Sequence, residues 1–406
     1  MPSHRRHLLV LLSTLLIVPP LGGSSAGAGR PPKCFGRAAT IVGTGGNDRL
    51  FGTGRKDVIV GLRGNDVIFG LGGNDRVCGG RGHDQIFGGR GGDLVSGGLG
   101  NDSLFGEQGN DRLLGGKGTN GCLQGGGFGI KDSCSMTIAA AGDIACEPGD
   151  ERTSNSCRHR DTSDLLVSGG LVAVLPLGDL QYEDGDLEKF KKSYDPTWGR
   201  VKDITRPSVG NHEYLTEDAK GYFDYFRGAA GDRSRGYYSF DMEGWHLVAL
   251  NSNCGAVGGC DEGSPQYDWL KADLAASNAG CTLAYWHAPR FASGHYGNDA
   301  DYQPFWELLF NDGAEIVLNG HDHNYQRYAP MTPTGTRNDE KGIREFVVGT
   351  GGKNHTGVDA TGTNREAAED STYGVLKVTL GDGSYSWQFV PDTRGGYTDS
   401  GNGSCH

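Results

Sequence analysis

From Gly43 the chain repeats itself every nine residues, and this period restricts its folding more than any other feature. The copies read GTGGNDRLF, GTGRKDVIV, GLRGNDVIF, GLGGNDRVC, GGRGHDQIF, GGRGGDLVS, GGLGNDSLF and GEQGNDRLL. Each carries Asp at its sixth place (Asp48, Asp57, Asp66, Asp75, Asp84, Asp93, Asp102, Asp111). An aliphatic residue follows two places on (Leu50, Ile59, Ile68, Val77, Ile86, Val95, Leu104, Leu113). A flexible glycine-rich linker has no reason to hold an acid and an aliphatic in phase. The register fades at GGKGTNGCL, where Asn120 takes the acidic slot. Residues flanking each aliphatic can form a very short strand, while the glycines permit the left-handed turns that send the chain back. Two nonapeptides per coil then align the aliphatics into a thin core. The same stacking brings carboxylates of neighbouring turns together, and Ca2+, a hard cation that takes oxygen ligands, is their natural partner.

This pattern resembles the RTX, or haemolysin-type, calcium-binding repeat G-G-x-G-x-D-x-U-x, and the resemblance implies a parallel β-roll. Nine Arg and Lys in residues 43–118 balance nine acids there, and Arg55 stands where Gly is usual. Some of the sites are therefore expected to be weak or empty.

Glycine supplies 71 of 406 residues, yet without the three-residue period of collagen. No apolar run reaches the roughly 18–20 residues that span a bilayer, so no transmembrane segment is expected. The net charge of −12 is uneven: +5 over residues 1–42, zero over 43–118 and −17 over 119–406. An acidic region repels polyanions, which disfavours a long nucleic acid as partner. Arg5-Arg6, the apolar stretch from Leu8 to Val18 and the triplet Ala26-Gly27-Ala28 read as a secretory signal cleaved after about residue 28. Ten cysteines without a C-x-x-C pair fit disulfides in an exported protein better than zinc. Cys146 with Cys157, and Cys254 with Cys260, are close enough to staple loops locally, and the full connectivity stays open.

After Cys134 glycine thins out and apolar runs alternate with helical patterns, the signature of sheets flanked by helices. Ser264-Pro265 caps one predicted helix, and residues 302–311 form another that stops near Gly313. Where the apolar runs end matters more. Residues 136–141 lead into Gly142-Asp143, residues 171–177 into Gly178-Asp179-Leu180-Gln181-Tyr182, and the run to Val209 into Gly210-Asn211-His212-Glu213. Residues 283–286 lead into His287, and residues 315–318 into Gly320-His321-Asp322-His323. Five predicted strand ends that each deliver metal-type ligands mark the rim where α/β sheets carry their sites.

The series GD, GDxxY, GNHE, a strand-end His and GHxH resembles the calcineurin-like metallophosphoesterases, most closely their purple acid phosphatase branch, over residues 135–395. The resemblance implies an α/β domain of two packed sheets flanked by helices, with two transition metal ions that clamp a phosphate. It implies Asp143, Asp179, Tyr182 and His323 on one metal. Asp179, Asn211, His287 and His321 would hold the other, Asp179 bridging through its two oxygens. Ester and hydroxide are both anions, so paired metals are needed to neutralise the ester and turn a bound water into hydroxide near neutral pH. His212 is expected to face the substrate as proton donor or transition-state stabiliser. His295, in HAPRFASGH, resembles the family's other leaving-group histidine. Glu213, Asp322, Asn324 and Arg327 are expected to orient neighbours, and His246, in a predicted strand, to be structural. Many relatives in the wider superfamily open with D-x-H. Here Ala145 fills that place, and Tyr182 stands where the purple enzymes supply a ligand. A phenolate favours a hard trivalent ion, so Fe3+ is expected beside Tyr182, with Fe2+, Zn2+ or Mn2+ opposite. The calcium repeats stand where plant and animal relatives carry a fibronectin-like domain.

The expected organisation is a signal peptide over 1–28, a calcium-binding β-roll over 40–122, a phosphoesterase domain over 135–395 and a C-terminal tail over 396–406. The expected function is a secreted dimetal hydrolase of small phosphate monoesters, acting by metal-activated hydroxide. A phosphodiesterase acting on cyclic or short nucleotides or phospholipid head groups shares the same metal core. A calcium-dependent surface protein with a vestigial phosphoesterase domain is the alternative from another class.

Overall fold

The computed structural model describes residues 31–126, 129–132, 135–167 and 170–406. The export signal expected over 1–28 lies outside them. Among the described residues no helix is long and apolar enough to cross a membrane.

Alternate nonapeptides fall into two parallel sheets. Arg49–Phe51, Val67–Phe69, Gln85–Arg90, Ser103–Gln108 and Gly121–Leu123 form one. Ile41–Val42, Val58–Arg63, Arg76–Arg81, Leu94–Leu99, Arg112–Lys117 and Ile130–Asp132 form the other. Partners such as Ile59 with Val77 and Ile86 with Leu104 lie two nonapeptides apart. The aliphatics from both sheets, Ile59 through Leu113, are fully buried in one thin core.

Strand alternation points their neighbours outward. On one sheet this stacks Phe51, Phe69, Phe87 and Phe105, with ring centroids 5.2, 4.9 and 4.7 Å apart. Phe51 is 52% exposed, but Phe87 and Phe105 are buried in the same core as Val174, Ile204 and Met242 of the following region. Arg49 pairs with Asp203 at 2.9 Å, and Lys131 with Glu243. The repeats thus pack on that region through an aromatic face. On the other sheet, Val58 and Val60 share a small core with Cys34 of a short hairpin, which Cys34–Cys78 ties down.

The second region packs a five-stranded sheet against a seven-stranded one. In the larger sheet Leu247, Leu283 and Leu318 join the inter-sheet core, while Val248, Ala284 and Val317 pack with helices Pro265–Ala276 and Gln303–Asp312. Such continuously apolar strands belong to a sheet covered on both faces. Both helices follow their sequence signals. The Tyr267 N–H donates to Ser264 Oγ, and Gly313 ends the second helix at φ 90°. Strands Met136–Ala141 and Ala173–Pro176 run parallel, as do Trp245–Ala249, Cys281–Tyr285, Ile316–Asn319 and Arg344–Val348. Their C-terminal ends share one rim, where the Gly142 N–H donates to Val348 O at 2.8 Å. The run to Val209 forms no full strand; only isolated bridges join Thr205 to Val174 and Ser208 to Leu177.

The segment expected as a tail is structured instead. Ser400–Ser404 pairs with Ser384–Pro391, and Cys405 is bonded to Cys281. Its composition of Ser, Gly and Asn hides this, because an exposed edge strand needs backbone partners rather than apolar side chains. Cys146–Cys157 and Cys254–Cys260 staple loops locally, as their spacing implied. His246, 5% exposed, holds strand to helix: Nδ1 lies 2.7 Å from Asp241 and Nε2 3.0 Å from Asp273.

Two stability predictions arise here. Phe105→Ala should lower the unfolding free energy by about 3–5 kcal/mol, while Phe51→Ala on the open end of the same ladder should cost under about 1 kcal/mol; denaturant titration compares them. For His246, burial disfavours the charged ring, but the Asp273 and Asp241 carboxylates outweigh it and raise the pKa. The stability it contributes is therefore complete below about pH 6.5, the unfolded value, and is lost as pH rises through the higher folded value. Melting temperatures measured across that window should fall in the wild type, and His246→Gln should flatten the decline.

Candidate metal centre

Five segments at the shared rim bring the expected side chains together. The Tyr182 hydroxyl donates to Asp143 Oδ1 at 2.8 Å, lies 3.1 Å from Asp179 Oδ2, and sits 2.9 Å from His323 Nε2. His323 Nε2 is 3.2 Å from Asp143 Oδ1. On the other side, His287 Nε2 lies 3.2 Å from Asp179 Oδ2, 3.1 Å from Asn211 Oδ1 and 3.1 Å from His321 Nδ1. All seven of Asp143, Asp179, Tyr182, Asn211, His287, His321 and His323 therefore lie in one cluster. Asp179 was expected to bridge through both oxygens. Instead Oδ2 alone faces both groups, because Oδ1 accepts the His212 N–H at 2.9 Å.

Local backbone geometry explains the glycine before each motif. Gly178 has φ +81°, and a Cβ there would lie 2.6 Å from the His287 ring. At Gly210 a Cβ would lie 2.2 Å from the Asp179 N. The ligands approach because nothing stands between their backbones. Asp143, Asp179 and His321 themselves adopt positive φ of 60°, 49° and 71°, which costs on the order of 1–3 kcal/mol each and is sustained only by firm surroundings. Glu213 supplies much of that support. Its fully buried carboxylate accepts the N–H groups of Asp179, Leu180, Gln181 and Gly210 at 2.8–3.2 Å, clamping two of the loops. His321 N–H donates to Asp143 Oδ2 at 2.8 Å, and the His287 Nδ1–H donates to Leu177 O at 2.8 Å. That last bond commits Nδ1, so Nε2 of His287 is the nitrogen that faces the cluster.

The donor set of carboxylates, a phenol, an amide oxygen and imidazoles suits transition metal ions. Burial opposes charge on His287, yet the Asp179 carboxylate beside it pulls its pKa up to about 9. Burial and the neighbouring His287 hold His321 down at about 4, neutral and able to ligate. Burial and the carboxylates of Asp143 and Asp179 keep the Tyr182 phenol well above its ordinary value, so only a strong cation would strip its proton. Asp179, His287 and His321 alone could hold one ion.

The other expected residues divide. His212 lies at the edge: its Nδ1 meets Glu183 O, its Nε2 is 3.9 Å from Asp179 Oδ2, and its ring lies 4.4 Å from that of Tyr182. His295 is exposed, with its ring 4.7 Å from that of Tyr296. Tyr296, which sequence reasoning passed over, stacks on His321 with centroids 3.9 Å apart. Its signal was an aromatic beside the loop histidine. Asp322 accepts the Tyr296 N–H at 3.4 Å. Arg327 pairs with Asp399 and Glu366, away from the cluster.

The repeat carboxylates show a second cation-seeking pattern. From Asp66 to Asp111, each Oδ1 accepts the N–H of the Asp two nonapeptides earlier at 2.7–2.9 Å. Oδ2 of Asp66, Asp75, Asp84, Asp93 and Asp102 is buried without a hydrogen bond. A Cβ on Gly61 would lie 2.3 Å from Asp66 Oδ2 and 2.5 Å from Gly79 O, so the glycine leaves a cradle of oxygens. Burial pushes Asp84 up to about 7, with Asp102 and Asp66 adding to the rise. Asp48, Asp57 and Asp111 differ. Thr44 and Thr53 donate to the first two, and Gln124 to the third.

Comparison with known proteins agrees with both patterns. Residues 36–54, 51–86 and 87–121 match the RTX calcium-binding nonapeptide repeat, and residues 136–325 the calcineurin-like phosphoesterase family. Purple acid phosphatase 15 of Arabidopsis thaliana is 33% identical over 204 residues, 41% of this chain and 38% of that protein. Purple acid phosphatase 21 of the same plant is 30% identical over 241 residues, 53% of this chain and 50% of that protein. The chain thus spans half or less of the length of these relatives. In fold, purple acid phosphatase PPD1 from yellow lupin seeds superposes with a TM-score of 0.55 at 18% identity, covering 66% of this chain and 53% of that one. The chain joins RTX calcium-binding repeats to a calcineurin-like phosphoesterase region whose relatives are purple acid phosphatases.

Proposed function

We propose that this protein is a secreted, calcium-stabilised phosphoesterase that hydrolyses phosphate monoesters. One observation carries the reading: seven ligand-type side chains from five rim segments converge within hydrogen-bond distance. In this reading residues 135–395 form the catalytic domain, residues 40–122 a β-roll, and residues 1–28 the export signal. Asp143, Asp179, Tyr182 and His323 would hold Fe3+, and Asp179, Asn211, His287 and His321 a second ion, Fe2+, Zn2+ or Mn2+. Such a pair supplies charge neutralisation of the ester and a water acidic enough to act as nucleophile near neutral pH.

The chain's own residues do the rest. Asn211 offers a neutral oxygen, which limits repulsion of an incoming phosphate. His212 commits its Nδ1–H to the Glu183 carbonyl, which turns Nε2 toward the cluster, where the protonated ring would give its Nε2 proton to the departing alkoxide. Glu213 keeps the loops of Asp179 and His212 in register. The five buried unpartnered oxygens from Asp66 to Asp102 would bind Ca2+, while Asp48, Asp57 and Asp111, already satisfied by the protein, would bind it weakly or not at all.

Substitution should sort these roles. Asp179→Ala should abolish both metal content and turnover, whereas His212→Ala should keep the metals and lower the rate by about 10²–10⁴. Equal metal loss in both would make His212 a ligand or support. Phenolate-to-iron charge transfer should colour the protein violet, and Tyr182→Phe should bleach it. Chelating Ca2+ from the intact protein should lower its melting temperature, and re-adding Ca2+ should restore it. A melt indifferent to both treatments would remove calcium from the repeats.

A further inference from the structure

Beside the metal centre opens a cleft of about 280 Å³, floored by Asn211, His287 and His321 and extending past Asn253 to Asp299. Tyr296 forms one wall. One face of its ring is held against His321, yet the residue remains 55% exposed. Its loop is fastened on both sides. The Ala292 N–H donates to Asn298 Oδ1 at 3.0 Å, the Asp299 N–H to Arg290 O at 3.0 Å, and the Tyr296 N–H to Asp322 Oδ1 at 3.4 Å. The ring is therefore presented by a fixed loop on which a ligand can pack without first ordering it.

The electrostatics of the cleft narrow what that ligand is. Among the described residues, none that line it is Lys or Arg. Its one carboxylate, Asp299, accepts the Asp301 N–H at 2.9 Å through Oδ1. Away from the metal ligands, a second phosphate or carboxylate on the substrate would meet no Lys or Arg in the lining and would lose hydration without return. A flat, uncharged ring would instead find an aromatic face, for which offset or edge-on packing is favourable.

We propose that Tyr296 is the specificity-determining residue of this cleft, packing against the leaving group and favouring aryl monoesters over aliphatic or polyanionic ones. This assignment rests on the phosphoesterase reading above. It is tested by steady-state kinetics of the intact, metal-replete protein on phenyl phosphate and glycerol phosphate, with wild type, Tyr296→Phe and Tyr296→Ala. Tyr296→Ala should raise KM for phenyl phosphate about tenfold, the upper worth of an aromatic pair, while KM for glycerol phosphate moves by less than about twofold. Metal content should hold, and Tyr296→Phe should behave as wild type. Equal changes on both esters, or no change on phenyl phosphate, would overturn the assignment. Metal loss in Tyr296→Ala would overturn it too, since Tyr296 would then be a support for His321. A wild type inert toward both esters, with metals bound, would instead defeat the phosphoesterase reading and this assignment with it.

Discussion

Asp66 Oδ2 and the Gly79 carbonyl oxygen both lie within 2.5 Å of the point where a side chain on Gly61 would begin. The same relation recurs at the rim, where Gly178 and Gly210 leave the His287 ring and Asp179 room to approach. In both halves of the chain, glycine removes the one group that would keep donor atoms apart. Buried oxygens without partners are costly, and among the described residues Oδ2 of Asp66, Asp75, Asp84, Asp93 and Asp102 has no hydrogen-bond donor. A cation is the partner such arrangements are built for. In the repeats the oxygens come from carboxylates and backbone, which suits Ca2+. At the rim imidazoles and a phenol join them, which suits transition metals.

The rest of the molecule holds these groups in place. Parallel strands of both sheets end at one rim, and two sheets packed through Leu247, Leu283, Leu318 and Val378 leave that rim little freedom. Glu213 joins the Asp179 and Gly210 loops through four N–H groups, and positive φ at Asp143, Asp179 and His321 is tolerated because of such bracing. The repeats are not an appendage. Phe87 and Phe105 lie in the phosphoesterase core, so order in the repeats is coupled to order in that region.

Much of this was legible in the sequence, because the periods are strict and the ligands sit at strand ends. Asp and aliphatic every nine residues specified the parallel pairing two nonapeptides apart. The motifs GD, GDxxY, GNHE and GHxH named the seven side chains that the fold brings together. What escaped was what no local pattern encodes. The bridging geometry of Asp179 depends on His212 N–H claiming one oxygen. The division among the eight repeat carboxylates depends on Thr44, Thr53 and Gln124, polar residues that carry no signal of their own. Tyr296 rather than His295 meets the cluster because the loop turns there, and the edge strand Ser400–Ser404 is read from backbone pairing alone.

The claim on which all else rests is that these seven side chains hold two metal ions in working protein. Anomalous diffraction from crystals of active protein, recorded above and below the iron edge, addresses it directly. Two transition-metal peaks are expected among Asp143, Asp179, Tyr182, Asn211, His287, His321 and His323, with iron on the Tyr182 side and Asp179 touching both. Protein that turns over substrate with no metal in that cluster, or with one ion and Tyr182 untouched, would contradict it.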